Sequence, residues 1–227
     1  MAFIGVVLVI SLLLTAFGTG SSPAVQTVAV SGKLPVVGRP SPQILAVTGA
    51  LRLQLPIAQP TAIGFHSAGD GAVALTPVGK QGNEGLVLRL VHKVFGGGGG
   101  GPTWYQLGGD DGPQSSALDV GGAPGTDVYA PVDGTVVGVT PYVVNNTHYG
   151  VRLDIQPQTA PSLVVSLTHL RADQSITVGS TVIAGVSRLG SIVDLSSVER
   201  QALARYTQDA GNHVSLEVRP AATLTLN

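Results

Sequence analysis

The stretch Ser115–Gly134 reads Ser-Ser-Ala-Leu-Asp-Val-Gly-Gly-Ala-Pro-Gly-Thr-Asp-Val-Tyr-Ala-Pro-Val-Asp-Gly, and most structural expectations for this chain start from it. Asp119 stands ahead of a Gly/Pro turn, and the run 128–131 leads into a second turn at Asp133–Gly134. These turn residues predict a β-hairpin with 135–139 as the returning strand. A carboxylate beside two stiff turns is a candidate site, although a single Asp in a turn is more commonly structural.

The composition favours short strands joined by many turns. Charged residues make up only 11% of the 227 residues, whereas the chain holds 31 Gly and 15 Pro. A hydrophobic content of 44% is enough for one domain with a real core plus appendages. The formal net charge of -1 and the scattered basic residues provide no basic face, which argues against a nucleic-acid partner. The absence of cysteine excludes disulfides and thiolate metal sites.

The N-terminal segment predicts export. Residues 2–17 are apolar except for one Gly, one Ser and one Thr, and the first charged side chain is Lys33. We expect 1–20 to be a signal peptide, cut after Gly20 or Ala24, or an uncleaved membrane anchor, with a buried core helix as the alternative. Residues 21–42 then form a linker. The expected location is extracytoplasmic, in the bacterial cell envelope, with membrane contact only through the N-terminal segment.

Two further regions follow the linker. Residues 43–95 form a β-rich region in which Leu51–Leu55 alternates as a half-buried strand does. The run 86–95 fits either a strand or an amphipathic helix. Six glycines at 96–101 predict a flexible tether and the best internal boundary. Whether 43–95 folds independently or packs on the C-terminal region stays open.

The C-terminal region, 102–227, is predicted to be mainly β. Strands are expected at 149–155, 162–170, 176–179, 182–185 and 213–218. The capping box Ser196-Ser197-Val198-Glu199 predicts one short helix at 197–206. In the last strand, His213, Ser215 and Glu217 share one face.

Taken in order, these segments resemble the lysostaphin-type, or LytM-like, zinc endopeptidases of bacterial cell walls. The resemblance covers about 115–219 and is carried by Asp119-Val120, Val128–Val136, Tyr149-Gly150, Thr168-His169-Leu170, Gly179–Gly185 with Leu189-Gly190, and His213–Val218. An insertion at 191–210 carries the predicted helix. The resemblance implies a small antiparallel β-domain of the duplicated hybrid motif type, whose sheet forms the floor of a groove. It also implies peptidoglycan or a cell-wall enzyme as the partner.

The residues expected to bind zinc depart from the family pattern. The family takes its ligands from a His-x-x-x-Asp motif and from the second His of a His-x-His motif, with two further His beside the metal-bound water. The resemblance places Asp119 at the metal-binding Asp position, and His169 and His213 at the two catalytic His positions. Ser115 and Ser215 replace the other two ligands, and a neutral hydroxyl is a poor zinc ligand.

Three interpretations follow. The favoured one is a non-catalytic domain without a cofactor, which acts as a wall-binding or regulatory module because the Lewis acid is lost. The alternative is an active peptidoglycan endopeptidase whose zinc is rearranged onto Asp119, His169 and His213. The third is a structural domain without a ligand. A serine hydrolase built from Ser215, His169 and Asp119 is disfavoured, because no nucleophile-elbow sequence surrounds the serine.

A second His-x-x-x-Asp spacing occurs at His66–Asp70. It lacks the surrounding sequence context, and we interpret it as a turn at 69–71 rather than as a pair of metal ligands. His92 and His148 have no recognisable partners and are expected at the surface.

Overall fold

β-strands dominate the structure, a computed structural model that describes residues 34–69, 71–83, 101–108, 115–198 and 201–223. All of these residues belong to one unit, Gly32–Asn227. The prediction of a mainly β protein is confirmed. The predicted leader and the run 86–95 lie outside the described residues. Among the described residues, no helix is long and apolar enough to cross a membrane.

Fourteen strands are present in the described part of the chain. They are β1 Ile44–Thr48, β2 Leu51–Gln54, β3 Ile63–His66, β4 Thr76–Pro77, β5 Lys80–Gln81, β6 Thr103–Gln106, β7 Ala117–Gly121, β8 Asp127–Tyr129, β9 Gly134–Val144, β10 Thr147–Pro157, β11 Leu163–Ala172, β12 Thr181–Val182, β13 Arg188–Ile192 and β14 His213–Pro220. Two 3₁₀ helices, Ala202–Arg205 and Ala221–Thr223, flank β14.

The strands form two sheets. The larger sheet has the order β12-β9-β10-β11-β14-β7-β3-β6-β5, and β13 joins it by pairing with both β11 and β8. Its pairings are antiparallel except those of β6 with β3 and β5. The smaller sheet has the order β2-β1-β4. The central strands of the large sheet, β11, β14 and β7, come from distant parts of the C-terminal region.

The central strands separate an apolar face from a polar one. Leu118, Leu167 and Leu216 point into the main core and are fully buried. The alternate residues Asp119, Ser166, Ser215 and Glu217 point to the opposite face, because side chains along a strand alternate. The cross-strand pairs Asp119↔Ser215 and Ser166↔Glu217 continue this face from strand to strand. Asp119 and Ser215, two of the residues singled out from the sequence, lie on this polar face.

The structure answers the question that the sequence left open about 43–95. Strand β3 pairs directly with β7, and Phe65 shares the main core with Leu118 and Leu216. The region before the predicted glycine tether and the region after it therefore contribute to one sheet and one core. Residues 96–100 of the tether lie outside the described residues.

The hairpin predicted around Asp133–Gly134 is wrong. Strand β8 pairs with β13, whereas β9 pairs with β10 and β12. The backbone of Gly134 lies so close to the carbonyl oxygen of Gln156 that an added Cβ would collide with it. The turn is consequently a corner that takes the chain from one strand pair to another.

The predicted helix at 197–206 is also wrong in type and length. In the described part of this range the helical residues are the 3₁₀ helix Ala202–Arg205, whose N-cap residue Gln201 makes no side-chain capping hydrogen bond. The Ser196 hydroxyl donates backward to Asp194 Oδ1 at 2.6 Å. The local Asp-x-Ser turn thus uses a hydroxyl of the predicted capping box. The expected strand at 176–179 is a turn region in the structure.

Candidate functional site

Four side chains from four different strands meet on the polar face. Asp119 lies in the middle of β7, His213 begins β14, His169 lies near the end of β11, and His66 ends β3. Asp119 Oδ2 is 3.3 Å from His66 Nε2 and 3.6 Å from His213 Nε2. His213 Nε2 is in turn 3.2 Å from His169 Nδ1. We call these four residues the His/Asp cluster.

Asp119 is held at the centre of the cluster by its two neighbouring strands. Ser215 of β14 and Gly64 of β3 are its direct cross-strand partners. An added Cβ at Gly64 would collide with Leu107, so this glycine lets the Leu107 side chain cover the sheet beside Asp119. Asp119 is only 4% exposed, and its Oδ1 has no hydrogen-bond partner among the residues that the structure describes.

His66 has hydrogen-bond acceptors on both ring nitrogens. Nδ1 is 2.9 Å from the carbonyl oxygen of Ser67, and Nε2 is 3.3 Å from Asp119 Oδ2. A carbonyl and a carboxylate only accept, so a protonated His66 ring can donate to both of them. The hydrogen bond to Asp119 raises the pKa of His66 to about 9, against the opposing effect of burial and with support from the charge of Glu217.

Asp119 is the carboxylate half of this ion pair. Burial by itself would raise its pKa, because a desolvated charge is unfavourable. The positive charge of His213 and the hydrogen bond and charge of His66 outweigh burial and lower the pKa of Asp119 to about 2. The nearby hydroxyl of Ser215 acts in the same direction. Asp119 is therefore ionised throughout the physiological pH range.

His213, His169 and Tyr142 form a hydrogen-bonded chain beside the ion pair. His213 Nδ1 donates to the carbonyl oxygen of Gly211 at 3.0 Å, which points Nε2 toward His169 Nδ1. His169 Nε2 is 3.1 Å from the hydroxyl of Tyr142. Burial, followed by the charge of His213, lowers the pKa of His169 to about 4, so His169 is neutral at pH 7.

The backbone of His169 is strained. Its φ of +62° lies in the left-handed region, which is uncommon for a residue with a side chain. The pairing of β10 with β11 shifts register close to this point, between Val151 and Leu153. Such strain persists where the surrounding structure over-determines the conformation, and it concentrates at functional sites. His169 is aimed at His213 by this irregularity.

The structure brings together most of the residues predicted from the sequence. Asp119, His169 and His213 lie in the cluster, and Ser215 lies beside Asp119 in register. Ser115 is buried, and its hydroxyl donates to Gln106 Oε1 at 3.4 Å rather than to a member of the cluster.

Sequence reasoning missed His66, which we interpreted as part of a turn with Asp70. Asp70 lies outside the described residues, while His66 is at the end of a strand and contacts Asp119. The available signal was the pattern Ile63-Gly-Phe-His66, in which the histidine follows two residues after a glycine on the same face. Nothing local to that pattern identifies β7 as its neighbour. His148, by contrast, is exposed on β10.

The donor set does not fit a zinc ion. A zinc site needs three or four donors at about 2.0–2.3 Å from one common point. Within the described ranges, no group of three or more His, Cys, Asp or Glu side chains is arranged to hold a metal ion. Instead, His66 Nε2 and His213 Nε2 both contact Asp119 Oδ2, and His213 Nε2 also faces His169 Nδ1. Such a cluster of ionisable side chains can form hydrogen bonds with a bound polar group.

Comparisons with known proteins concern the fold. No family model and no curated protein matches the chain. The solution structure of lysostaphin is 16% identical with a TM-score of 0.37, over 52% of this chain and 43% of that protein. A chain of the SpoIIQ–SpoIIIAH pore-forming complex is 23% identical with a TM-score of 0.32, over 50% and 63%. Pseudoalterin, an M23 metalloprotease from the deep sea, is 19% identical with a TM-score of 0.32, over 48% and 57%.

The likeness to these proteins covers about half of this chain and 43% to 63% of theirs. At such low identities it does not extend to activity or partners.

Proposed function

We propose that this chain is an exported cell-envelope domain of the LytM-like type that binds peptidoglycan without cleaving it. The observation that carries the proposal is the donor set around Asp119. Two of the three ligand positions expected from the family hold the neutral hydroxyls of Ser115 and Ser215, and Asp119 is already paired with His66. Without a metal-bound water the site lacks the nucleophile on which this class of hydrolysis depends.

The polar face of the sheet supplies the binding groups. Arg152 Nε contacts Asp154 Oδ1 at 2.9 Å, and the Ser166 hydroxyl donates to the same carboxylate oxygen at 2.6 Å. Arg219 Nη2 contacts Glu217 Oε2 at 2.7 Å on the same face. In each pair the guanidinium is held by a neighbouring carboxylate, which reduces the entropy lost on binding.

These groups suit a peptide better than an apolar ligand. Guanidinium groups recognise carboxylates, and hydroxyl and carboxylate oxygens accept from amide N–H groups. The cross-links of peptidoglycan are peptides that offer both kinds of group. The predicted N-terminal export segment would place the domain where this polymer is found. We therefore choose peptidoglycan as the partner, with a cell-wall enzyme as the other outcome of the test.

Sedimentation with purified peptidoglycan tests the proposal. The chain without residues 1–20 should sediment with the polymer, and Ser215→Trp should reduce the bound fraction at least fivefold by filling the space beside Asp119. Val178→Trp is the matched control, because Val178 is 63% exposed on the loop before β12. Equal binding by the two variants would contradict binding at this face. If the protein does not sediment with peptidoglycan but does retain a cell-wall enzyme, the regulatory role is favoured.

One observation favours the alternative, an active endopeptidase with a rearranged metal on Asp119, His169 and His213. Asp119 Oδ1 is buried without a hydrogen-bond partner among the described residues, as expected for a carboxylate oxygen that binds a metal ion. Against it, His213 Nε2 and His169 Nδ1 face each other at 3.2 Å, so one of them donates to the other. A cell-wall suspension should keep its turbidity with the protein and added zinc, whereas clearing would establish the enzyme.

A further inference from the structure

We propose that Arg152 is the specificity-determining residue of the polar face, and that it binds a free carboxylate of the wall's peptides through the outer edge of its guanidinium. The inference rests on the proposed function and adds to it the chemical group that is recognised. A free carboxylate is present where a peptide of the wall ends without a cross-link, because a cross-link converts a carboxylate into an amide. The preferred ligand is therefore an uncross-linked peptide end.

The guanidinium of Arg152 is fixed by two buried neighbours. Its Nε donates to Asp154 Oδ1 at 2.9 Å, and its Nη2 donates to the Ser166 hydroxyl at 3.1 Å. The Ser166 hydroxyl donates to the same Asp154 oxygen at 2.6 Å, so the three side chains close a ring of hydrogen bonds. Gly138, opposite Asp154 on β9, leaves space for this carboxylate, because an added Cβ would lie 2.9 Å from Asp154 Oδ2.

The same hydrogen bonds leave one edge of the guanidinium unused. A guanidinium carries one N–H on Nε and two on each Nη nitrogen. Arg152 Nη1 makes no hydrogen bond to any residue that the structure describes, and Nη2 uses one of its two N–H groups on Ser166. Nη1 and Nη2 together form a planar fork that fits the two oxygens of a carboxylate. The ligand group that matches this edge is a carboxylate.

Arg152 is the member of this trio that a ligand can reach. Its side chain is 36% exposed, whereas the Asp154 side chain is 5% exposed and Ser166 is 3% exposed. An approaching anion thus meets the guanidinium, while Asp154 is bound on the Nε side, away from the free edge. Because the guanidinium is already held in place, little side-chain entropy is lost when it binds a ligand.

The other arginines that pair with a carboxylate in the described part of the chain are less suited to an anion. Arg219 pairs with Glu217, and Arg188 pairs with Asp173 as well as with Asp127. The carboxylates of Glu217 and Asp173 are both partly exposed, so they would repel a second carboxylate at the surface. This difference singles out Arg152.

Amidation of the carboxylates of peptidoglycan tests the inference on the natural chain. Purified polymer is treated with a carbodiimide and methylamine, which converts its carboxylates into amides, and sedimentation with treated and untreated polymer is compared. The natural chain should bind the untreated polymer about tenfold more tightly, because the treated polymer lacks the charge-assisted hydrogen bonds to Arg152. Equal binding to the two polymers would overturn the inference.

Substitutions of Arg152 assign the preference to this residue. Arg152→Gln should bind both polymers equally weakly, and Arg152→Lys, which keeps the charge without the planar fork, should lose most of the preference as well. Arg52→Gln is the matched control, because it removes an exposed arginine from a strand of the smaller sheet, and it should keep the full preference. Full preference in either Arg152 variant, or its loss in the control, would contradict the assignment. Circular dichroism checks the fold of each variant, and the comparison of polymers on the natural chain depends on none of them.

A soluble probe separates this inference from the proposed function. The probe is acetylated tetra-alanine with a free C-terminal carboxylate, compared with its C-terminal amide by NMR titration of the Nε–H signal of Arg152. The carboxylate should shift this signal and the amide should not. A chain that fails to sediment with peptidoglycan but responds to the carboxylate would refute the proposed function and leave the recognition by Arg152 standing. A chain that sediments with the polymer but shows no preference for the carboxylate would refute the inference alone.

Discussion

Replacing His66 by glutamine removes the cationic half of the ion pair at the centre of the cluster. Glutamine can still donate a hydrogen bond to Asp119, so the change removes charge while it keeps a donor of similar reach. The ordinary histidine pKa of 6.5 is raised to about 9 by the hydrogen bond to Asp119, with burial opposing and Glu217 adding to the increase. This difference links folding stability to pH.

The direction of the pH dependence of stability follows from the raised pKa of His66 in the folded state. The stabilisation from protonated His66 is fully present below the unfolded-state pKa of 6.5 and is lost as the pH rises through about 9. At about 1.4 kcal/mol for each pKa unit, the full contribution would be about 3 kcal/mol. The His66 side chain is 34% exposed, and solvent screening reduces the expected contribution to about 1–2 kcal/mol.

Urea unfolding of the natural chain and of His66→Gln from pH 6 to pH 10 measures this contribution. The variant should be less stable by about 1–2 kcal/mol at pH 6, and the difference should disappear near pH 10. His148→Gln is the control, because it removes an exposed histidine from β10. It should shift neither the midpoint nor its pH dependence.

A stability difference that is the same at pH 6 and pH 10 would refute the reasoning. It would show that His66 stabilises the fold through packing alone. A variant as stable as the natural chain at pH 6 would contradict the ion pair itself.

Three further substitutions, together with one control, test the fold around the site by urea unfolding. Leu167→Ala should lose about 2–5 kcal/mol because it empties part of the main core, while Val178→Ala at an exposed position should stay within about 0.5 kcal/mol. Gly190→Ala should lose more than about 1 kcal/mol, since its Cβ would collide with the carbonyl of Arg171 in the adjacent strand. Asp154→Asn should lose about 1–3 kcal/mol because it removes the carboxylate charge that pairs with Arg152.

The sequence was sufficient to predict the strands that its own alternation marks. Leu51–Gln54 of the predicted strand Leu51–Leu55, and all of His213–Val218, lie in strands in the structure, because alternation reports directly which face is buried. The hairpin after Tyr129 was wrong because turn residues do not specify the partner of the strand that follows. At Gly134 that partner is β10, which lies later in the chain.

The candidate site was also predictable only in part, because the sequence does not show which strands become neighbours. Ordered motifs identified Asp119, His169 and His213, and the structure places these side chains together. His66 escaped notice because its neighbour Asp119 is reached through the pairing of β3 with β7, a contact between segments far apart in sequence. The helix prediction near Ser196 was wrong because Asp194, two residues earlier, accepts a hydrogen bond from the Ser196 hydroxyl.

Metal content of the purified chain is the most direct test of the proposal that this site functions without a metal ion. Protein produced with zinc in the medium and passed through a desalting column should contain far less than one zinc per chain by elemental analysis. Its sedimentation with peptidoglycan should be unchanged by a chelator. One zinc per chain, with sedimentation abolished by the chelator, would contradict the proposal that this domain binds the wall without a metal.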